Sequence, residues 1–127
     1  MENVDHQIME AATRGDEVGL KALLLRPGCD PMSRDGDGDG KTALTWAAML
    51  GHASCVDLLI PVGDALAKNK NGMTALMYTA RHGRTSCTEL LVPVSDALAK
   101  DKNGWTALMH AAKNGHAGSK ASDRFLF

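Results

Sequence analysis

A Gly-x-Thr-Ala-Leu word recurs in this chain at a fixed interval, and that interval decides what the chain can fold into. Gly40-Lys41-Thr42-Ala43-Leu44 is followed 32 residues later by Gly72-Met73-Thr74-Ala75-Leu76, and after the same step by Gly104-Trp105-Thr106-Ala107-Leu108. Gly51-His52, Gly83-Arg84 and Gly115-His116 keep the same step. The block from Pro61 to Ala80 agrees with the block from Pro93 to Ala112 at 15 of 20 positions, too many for coincidence. Self-similarity at such a period is the signature of stacked supersecondary units, none of which can bury its apolar face alone.

The punctuation inside each repeat predicts a pair of short helices. Thr42, Thr74 and Thr106 each precede an apolar-rich run, where a hydroxyl can accept from an orphan amide as an N-cap. Those runs close at Gly51, Gly83 and Gly115, glycine being the residue that takes the left-handed conformation just past a helix. Ala47, Ala48, Ala80, Ala111 and Ala112 are small enough for a neighbouring helix to approach closely. A second helix is expected over 53–60 and again over 85–92. Cys55, Val56, Leu58, Leu59 and then Cys87, Leu90, Leu91 have the spacing of a buried helical face. Pro61 and Pro93 stop these helices, since proline lacks a donor and clashes with the preceding turn. Asn71-Gly72 and Asn103-Gly104 are turn pairs suited to a hairpin tip. An earlier, degenerate unit precedes these. Ala11-Ala12-Thr13-Arg14-Gly15-Asp16 matches Ala47 to His52, and Val18, Leu20, Leu23, Leu24 and Leu25 supply its second helix. Helices this short are marginal in isolation, so the expected architecture is an all-α solenoid of helix-turn-helix units joined by β-turn or hairpin loops.

These residues resemble the ankyrin repeat, a unit of about 33 residues with a turn, two short helices and a Thr-Pro-Leu-His start. Thr42-Ala43-Leu44-Thr45, Thr74-Ala75-Leu76-Met77 and Thr106-Ala107-Leu108-Met109 stand where that start belongs. Gly51-His52 and Gly115-His116 are similar to the family's Gly-His, and Leu58-Leu59-Ile60 and Leu90-Leu91-Val92 to its Leu-Leu-Leu. The resemblance covers nearly all of residues 4–116. It divides one domain into an N-terminal capping repeat at about 3–34, repeats at about 37–68 and 69–100, a partial repeat at about 101–116 and an irregular, poorly ordered tail at 117–127. Two departures stand out. The family's proline is Ala43, Ala75 or Ala107, and its inter-repeat histidine is Thr45, Met77 or Met109, which predicts the loss of that hydrogen bond between units. The Thr-Ala-Leu-Met style resembles arrays in large families of unicellular parasites, some of which follow a Nek-type protein-kinase domain.

Composition narrows the function. At 127 residues the chain suits a single domain, and its net charge of −1 sets up no global field towards nucleic acid or anionic membrane. No apolar run approaches the roughly 20 residues of a membrane span, and the acidic, polar start is unlike a secretory signal. Cys29, Cys55 and Cys87 are an odd set in a chain without that signal and read as reduced thiols. A cytoplasmic, intracellular monomer without a cofactor is expected.

Sites for chemistry are few. Asp35-Gly36-Asp37-Gly38-Asp39-Gly40 fits the opening of a calcium loop through Asp35, Asp37 and Asp39, but the twelfth position, which needs a bidentate acid, is Trp46. The competing reading is a lengthened turn, because Gly15 and Gly51 are 36 residues apart instead of 32. His52 and Cys55 are a possible metal pair, yet Arg84 and Cys87 replace them one repeat later, and zinc needs four ligands. No nucleophile set, metal cluster, phosphate loop or basic stripe is legible, so an enzyme is not expected. The resemblance implies instead a scaffold that meets a partner protein on a concave face. Carried over position by position, that face comprises tip residues Asp39, Lys41, Lys70, Asn71, Met73, Lys102, Asn103 and Trp105. It also comprises Met49, Leu50, Arg81, His82, Lys113 and Asn114 at the ends of the first helices. Trp105, Met73, Met49 and Arg81 are the expected anchors by residue type, with the alternative that Trp105 lies over its own turn. Trp46, Tyr78 and His110 share one repeat position and are expected to pack. The alternative functional reading is a regulatory fragment of a larger signalling protein, such as a Nek-type kinase.

Overall fold

The computed structural model describes residues 3–36 and 39–114. Among them are seven α-helices: α1 (Val4–Arg14), α2 (Glu17–Leu24), α3 (Ala43–Leu50), α4 (Ala53–Leu59), α5 (Ala75–His82), α6 (Thr85–Leu91) and α7 (Ala107–Lys113). The only strand-like pairing among the described residues is an isolated bridge between Arg34 and Thr42. The first helices α1, α3, α5 and α7 pack on one another in order, α2, α4 and α6 form a second row, and each pair joins the rows. The result is the all-α stack expected from the repeat. Residues of the tail, 117–127, lie outside the described residues, as do Gly115 and His116.

Local chemistry sets the helix ends. The hydroxyls of Thr42, Thr74 and Thr106 accept from the amides of Thr45, Met77 and Met109 at 3.3, 3.3 and 3.4 Å. The second helices end at Leu59 and Leu91, one residue earlier than predicted; Pro93 then sits in a single 3₁₀ turn, Val92–Val94. Gly15, Gly51 and Gly83 close the first helices in the left-handed region.

The core is thin and repetitive. Leu44 and Leu76 are fully buried in the first row, beside Ala47, Ala48 and Ala80, whose size permits the close helix approach. Cys55, Leu59, Cys87 and Leu91 fill the second row. Burial pushes the Cys55 thiol up, with the carboxylates of Glu17 and Asp16 adding to it; burial also raises Cys87, against a lowering by Arg84. Such thiols are poor nucleophiles, so they act as small apolar fillers. The first unit departs from expectation. Leu20, Leu23 and Leu24 do face the core, but Val18 is 81 % and Leu25 82 % exposed. Val18 lies across the helix from Leu20 and Leu24, and Leu25 falls beyond the last helical residue.

The links between units lie elsewhere than at the position where the family carries its inter-repeat histidine. Thr45 keeps its hydroxyl within its own unit, 3.1 Å from that of Thr42, and Met77 is buried. The residue after each helix-closing glycine serves instead. The His52 ring nitrogen Nε2 lies 3.0 Å from the Thr13 carbonyl, and Arg84 Nε donates to the Met49 carbonyl at 3.2 Å. Arg34 reaches the Lys68 carbonyl at 2.8 Å, and Lys68 in turn reaches that of Lys100 at 3.2 Å. At the tips, the Lys70 amide donates to the Asp39 carbonyl at 2.9 Å and the Lys102 amide to that of Asn71 at 3.0 Å. Gly51 and Gly72 show how close these contacts are. A Cβ on Gly51 would lie 2.9 Å from Arg84 Cδ, and one on Gly72 would lie 2.9 Å from the Lys102 backbone nitrogen.

Candidate protein-binding groove

Each hairpin is organised by one acceptor at its base. Asp101 Oδ1 accepts from the amides of Asn103 and Trp105, both at 2.9 Å. Asn69 Oδ1 accepts from Asn71 at 2.9 Å and Met73 at 3.0 Å. Asp35 Oδ1 accepts from Lys41 at 3.0 Å. The backbone closure runs from Asp35 to Lys41, but only from Asn69 to Met73 and from Asp101 to Trp105, so the first hairpin is two residues longer. The remaining atom of each base residue meets the shared position of the first helix. Trp46 Nε1 donates to Asp35 Oδ2 at 2.9 Å, Asn69 Nδ2 donates to the Tyr78 hydroxyl at 2.7 Å, and His110 Nε2 lies 2.9 Å from Asp101 Oδ2. Trp46, Tyr78 and His110 therefore clamp the hairpins to the stack.

A groove with a cavity volume of about 480 Å³ opens between the second and third tips and the ends of α5 and α7. Asn71, Met73, Arg81, Lys102, Asn103, Trp105, Lys113 and Asn114 line it, with Asp101 and His110 as its floor. Eight of the fourteen positions carried over from the resemblance thus meet in one place, although they come from two hairpins and two helices. Trp105 is half-buried. Its ring centroid lies 5.3 Å from that of His110, tilted by 47°, and the Lys113 ammonium sits 4.9 Å from it. Its ring thus packs against the following helix, and it forms a groove wall. Burial would raise the Asp101 carboxyl, but the Trp105 amide, the His110 ring and the Asn103 amide outweigh it and hold the pKa below 3.8.

This order of side-by-side helix pairs agrees with the sequence comparison. The profile of ankyrin repeats, three copies long, matches residues 8–101 and 63–120. The chain belongs to the ankyrin-repeat family. No curated protein matches it. Ankyrin repeats are generally protein–protein interaction modules and generally non-catalytic.

The other six ankyrin positions behave differently. Asp39 and Lys41 line a second cleft of about 810 Å³ between the first hairpin and α1. The Lys41 side chain is only 12 % exposed. Its ammonium is 3.1 Å from Asp39 Oδ2, 5.0 Å from the Trp46 ring centroid and 5.7 Å from that of Tyr78. Met49 and Leu50 are half-buried, and Lys70 and His82 are exposed; His82 stacks on Tyr78, centroids 6.4 Å apart. Met73 corrects the expectation of an exposed anchor, because it is 5 % exposed and packs in the core. The next hairpin stacks over this tip through the bond from Lys102 to Asn71. Sequence reasoning missed Asp35, Asn69 and Asp101 as hairpin organisers. Their signal was present in the Asn or Asp four residues before Met73 and Trp105.

Asp35 spends both carboxylate oxygens on Lys41 and Trp46, and Asp39 is paired with Lys41, so these acids are committed to the lengthened turn; Asp37 lies outside the described residues. Among the described residues, no group of three or more His, Cys, Asp or Glu side chains is placed to hold a metal ion, and no helix is long and apolar enough to cross a membrane.

Proposed function

We propose that this chain is a non-catalytic scaffold that binds a segment of a partner protein in the groove between the second and third hairpin tips. One observation carries the reading: eight of the fourteen positions expected to contact a partner line a single groove with a half-buried tryptophan in its wall. Half-buried aromatic and arginine side chains at the centre of a patch are the usual energetic anchors of interfaces. The frame beneath them is held by backbone bonds and by the Asp101–His110 pair, so the contact residues can change without loss of the fold. Three unpaired thiols fit a reducing, intracellular compartment.

The test compares partner recovery by affinity capture on the intact chain, on a Trp105→Ala, Arg81→Ala double variant and on Asp57→Ala, which alters the exposed side of α4. Recovery is expected to fall at least about tenfold for the double variant, the loss that about 1.4 kcal/mol of binding energy represents, and to hold for Asp57→Ala. Equal recovery on all three would dismiss the groove.

A further inference from the structure

The two clefts on the hairpin side differ in charge. In the cleft beside α1, the acids Asp5, Glu10, Asp35 and Asp39 are interleaved with basic groups. Several are already matched, Asp39 to Lys41 at 3.1 Å and Glu10 to His6 at 3.4 Å. The groove at the third hairpin is one-sided. Its basic side chains are Arg81, Lys102 and Lys113, and its only carboxylate among the described residues is Asp101. That carboxylate is turned inward. Its side chain is 5 % exposed, and both oxygens are engaged by His110 and by the amides of Asn103 and Trp105. The mouth of the groove is consequently cationic although the whole chain carries −1. Lys70, exposed on the neighbouring tip, extends that charge along the stack.

We infer that the groove takes an acidic peptide segment, one whose Asp or Glu side chains meet Lys102 and Lys113; this rests on the groove being the partner site. Three features favour that occupant. The charge is complementary. The Lys113 ammonium is already held over the Trp105 ring, so less of its rotamer freedom remains to be lost on binding. Asn71 and Asn103, at the same wall, offer amide donors and acceptors suited to a peptide backbone. A basic segment would meet like charges, which disfavour docking.

Fluorescence anisotropy on the full chain tests this with three fluorescein-labelled peptides of equal length: alternating Glu-Gly, Gln-Gly and Lys-Gly. The Glu peptide is expected to bind at least about tenfold tighter than the Gln peptide, and its advantage to shrink several-fold between about 50 and 500 mM NaCl, since exposed charges are screened over a Debye length. Lys102→Glu with Lys113→Glu should abolish the preference, whereas Lys102→Arg with Lys113→Arg should keep it. Matching thermal melts for the two double variants separate loss of charge from loss of fold. Equal anisotropy for the Glu and Gln peptides, or a Glu preference that survives the charge reversal, would overturn the inference. Should affinity capture still depend on Trp105 while the peptides show no charge preference, the groove remains the partner site and only its acidic specificity fails.

Discussion

Replacing Gly72 by alanine tests whether the hairpin tips lean on one another as the structure has it. Gly40, Gly72 and Gly104 occupy the same place in successive hairpins, with φ of 71°, 75° and 80°. An L residue in that region costs roughly 1–2 kcal/mol wherever it occurs. What differs is the space. An added Cβ at Gly104 meets nothing within 4 Å, and at Gly40 it meets only Arg34 Cδ at 3.8 Å. At Gly72 it would sit 2.9 Å from the Lys102 nitrogen and 3.1 Å from Asp101 Cα, atoms of the backbone that cannot rotate aside. The third hairpin must then shift. Overpacking of this kind costs about 1–3 kcal/mol. Loss of the 3.0 Å bond from Lys102 to Asn71 adds about 0.5–1.5 kcal/mol. Gly72→Ala is therefore expected to cost about 2.5–6.5 kcal/mol, against about 1–2 kcal/mol for Gly40→Ala and Gly104→Ala. Urea unfolding followed by far-ultraviolet circular dichroism measures all three. If Gly72→Ala falls within about 0.5 kcal/mol of the other two, the tips do not stack and the argument for a continuous hairpin ladder fails.

Two further outcomes follow from burial and titration. Leu76, fully buried in α5 between α3 and α7, should lose about 2–5 kcal/mol on Leu76→Ala, whereas Leu98→Ser, at an 81 % exposed position, should stay within about 0.5 kcal/mol in the same urea assay. Asp101 has its pKa held below the ordinary 3.8, so the folded chain retains its charge more tightly than the unfolded one. Its stabilisation is complete above that ordinary value and is lost as pH falls through the lower folded value; thermal melts across the acid range should show a shallower loss for Asp101→Asn, and superimposable slopes would exclude the role.

How much of this was legible in the sequence depends on whether a feature repeats. The Thr caps, the closing glycines Gly51 and Gly83 and the buried Leu44 and Leu76 recur at a step of 32, and they fell where the period put them. The errors are at positions whose burial depends on a neighbouring unit. Lys41, Met73 and Trp105 look alike in the repeat, all just before the capping threonine. Yet Met73 is buried and Lys41 nearly so, because another hairpin stacks on each tip, while among the described residues none covers Trp105. Val18 misled for a related reason. It is apolar without lying on the face that α2 turns towards α1 and α4.

The residue after each helix-closing glycine shows how one position is specialised by its place in the array. In the first unit it is Asp16, whose carboxylate caps its own helix by accepting from the Gly19 amide at 2.9 Å. In the next two it is His52 and Arg84, and neither makes a side-chain cap. A good N-cap is worth about 1 kcal/mol, so α4 and α6 forgo that much local stability. Their side chains instead reach back to the carbonyls of Thr13 and Met49, bonds that only a unit with a predecessor can make. The Asp16 carboxylate accepts only and has no proton to offer a carbonyl, so it caps its own helix. The same trade explains why the inter-repeat histidine of the family is dispensable here. Cohesion along the stack is carried by His52, Arg84, Arg34, Lys68 and the tip backbone, all of which bond to main-chain carbonyls. Because these acceptors do not depend on the side chain of the unit that supplies them, Asn71 can offer its carbonyl to the third hairpin while its side chain stays available at the groove wall. That separation of frame from contact surface lets a stack of near-identical units carry a groove of one charge at one hairpin and a balanced cleft at another.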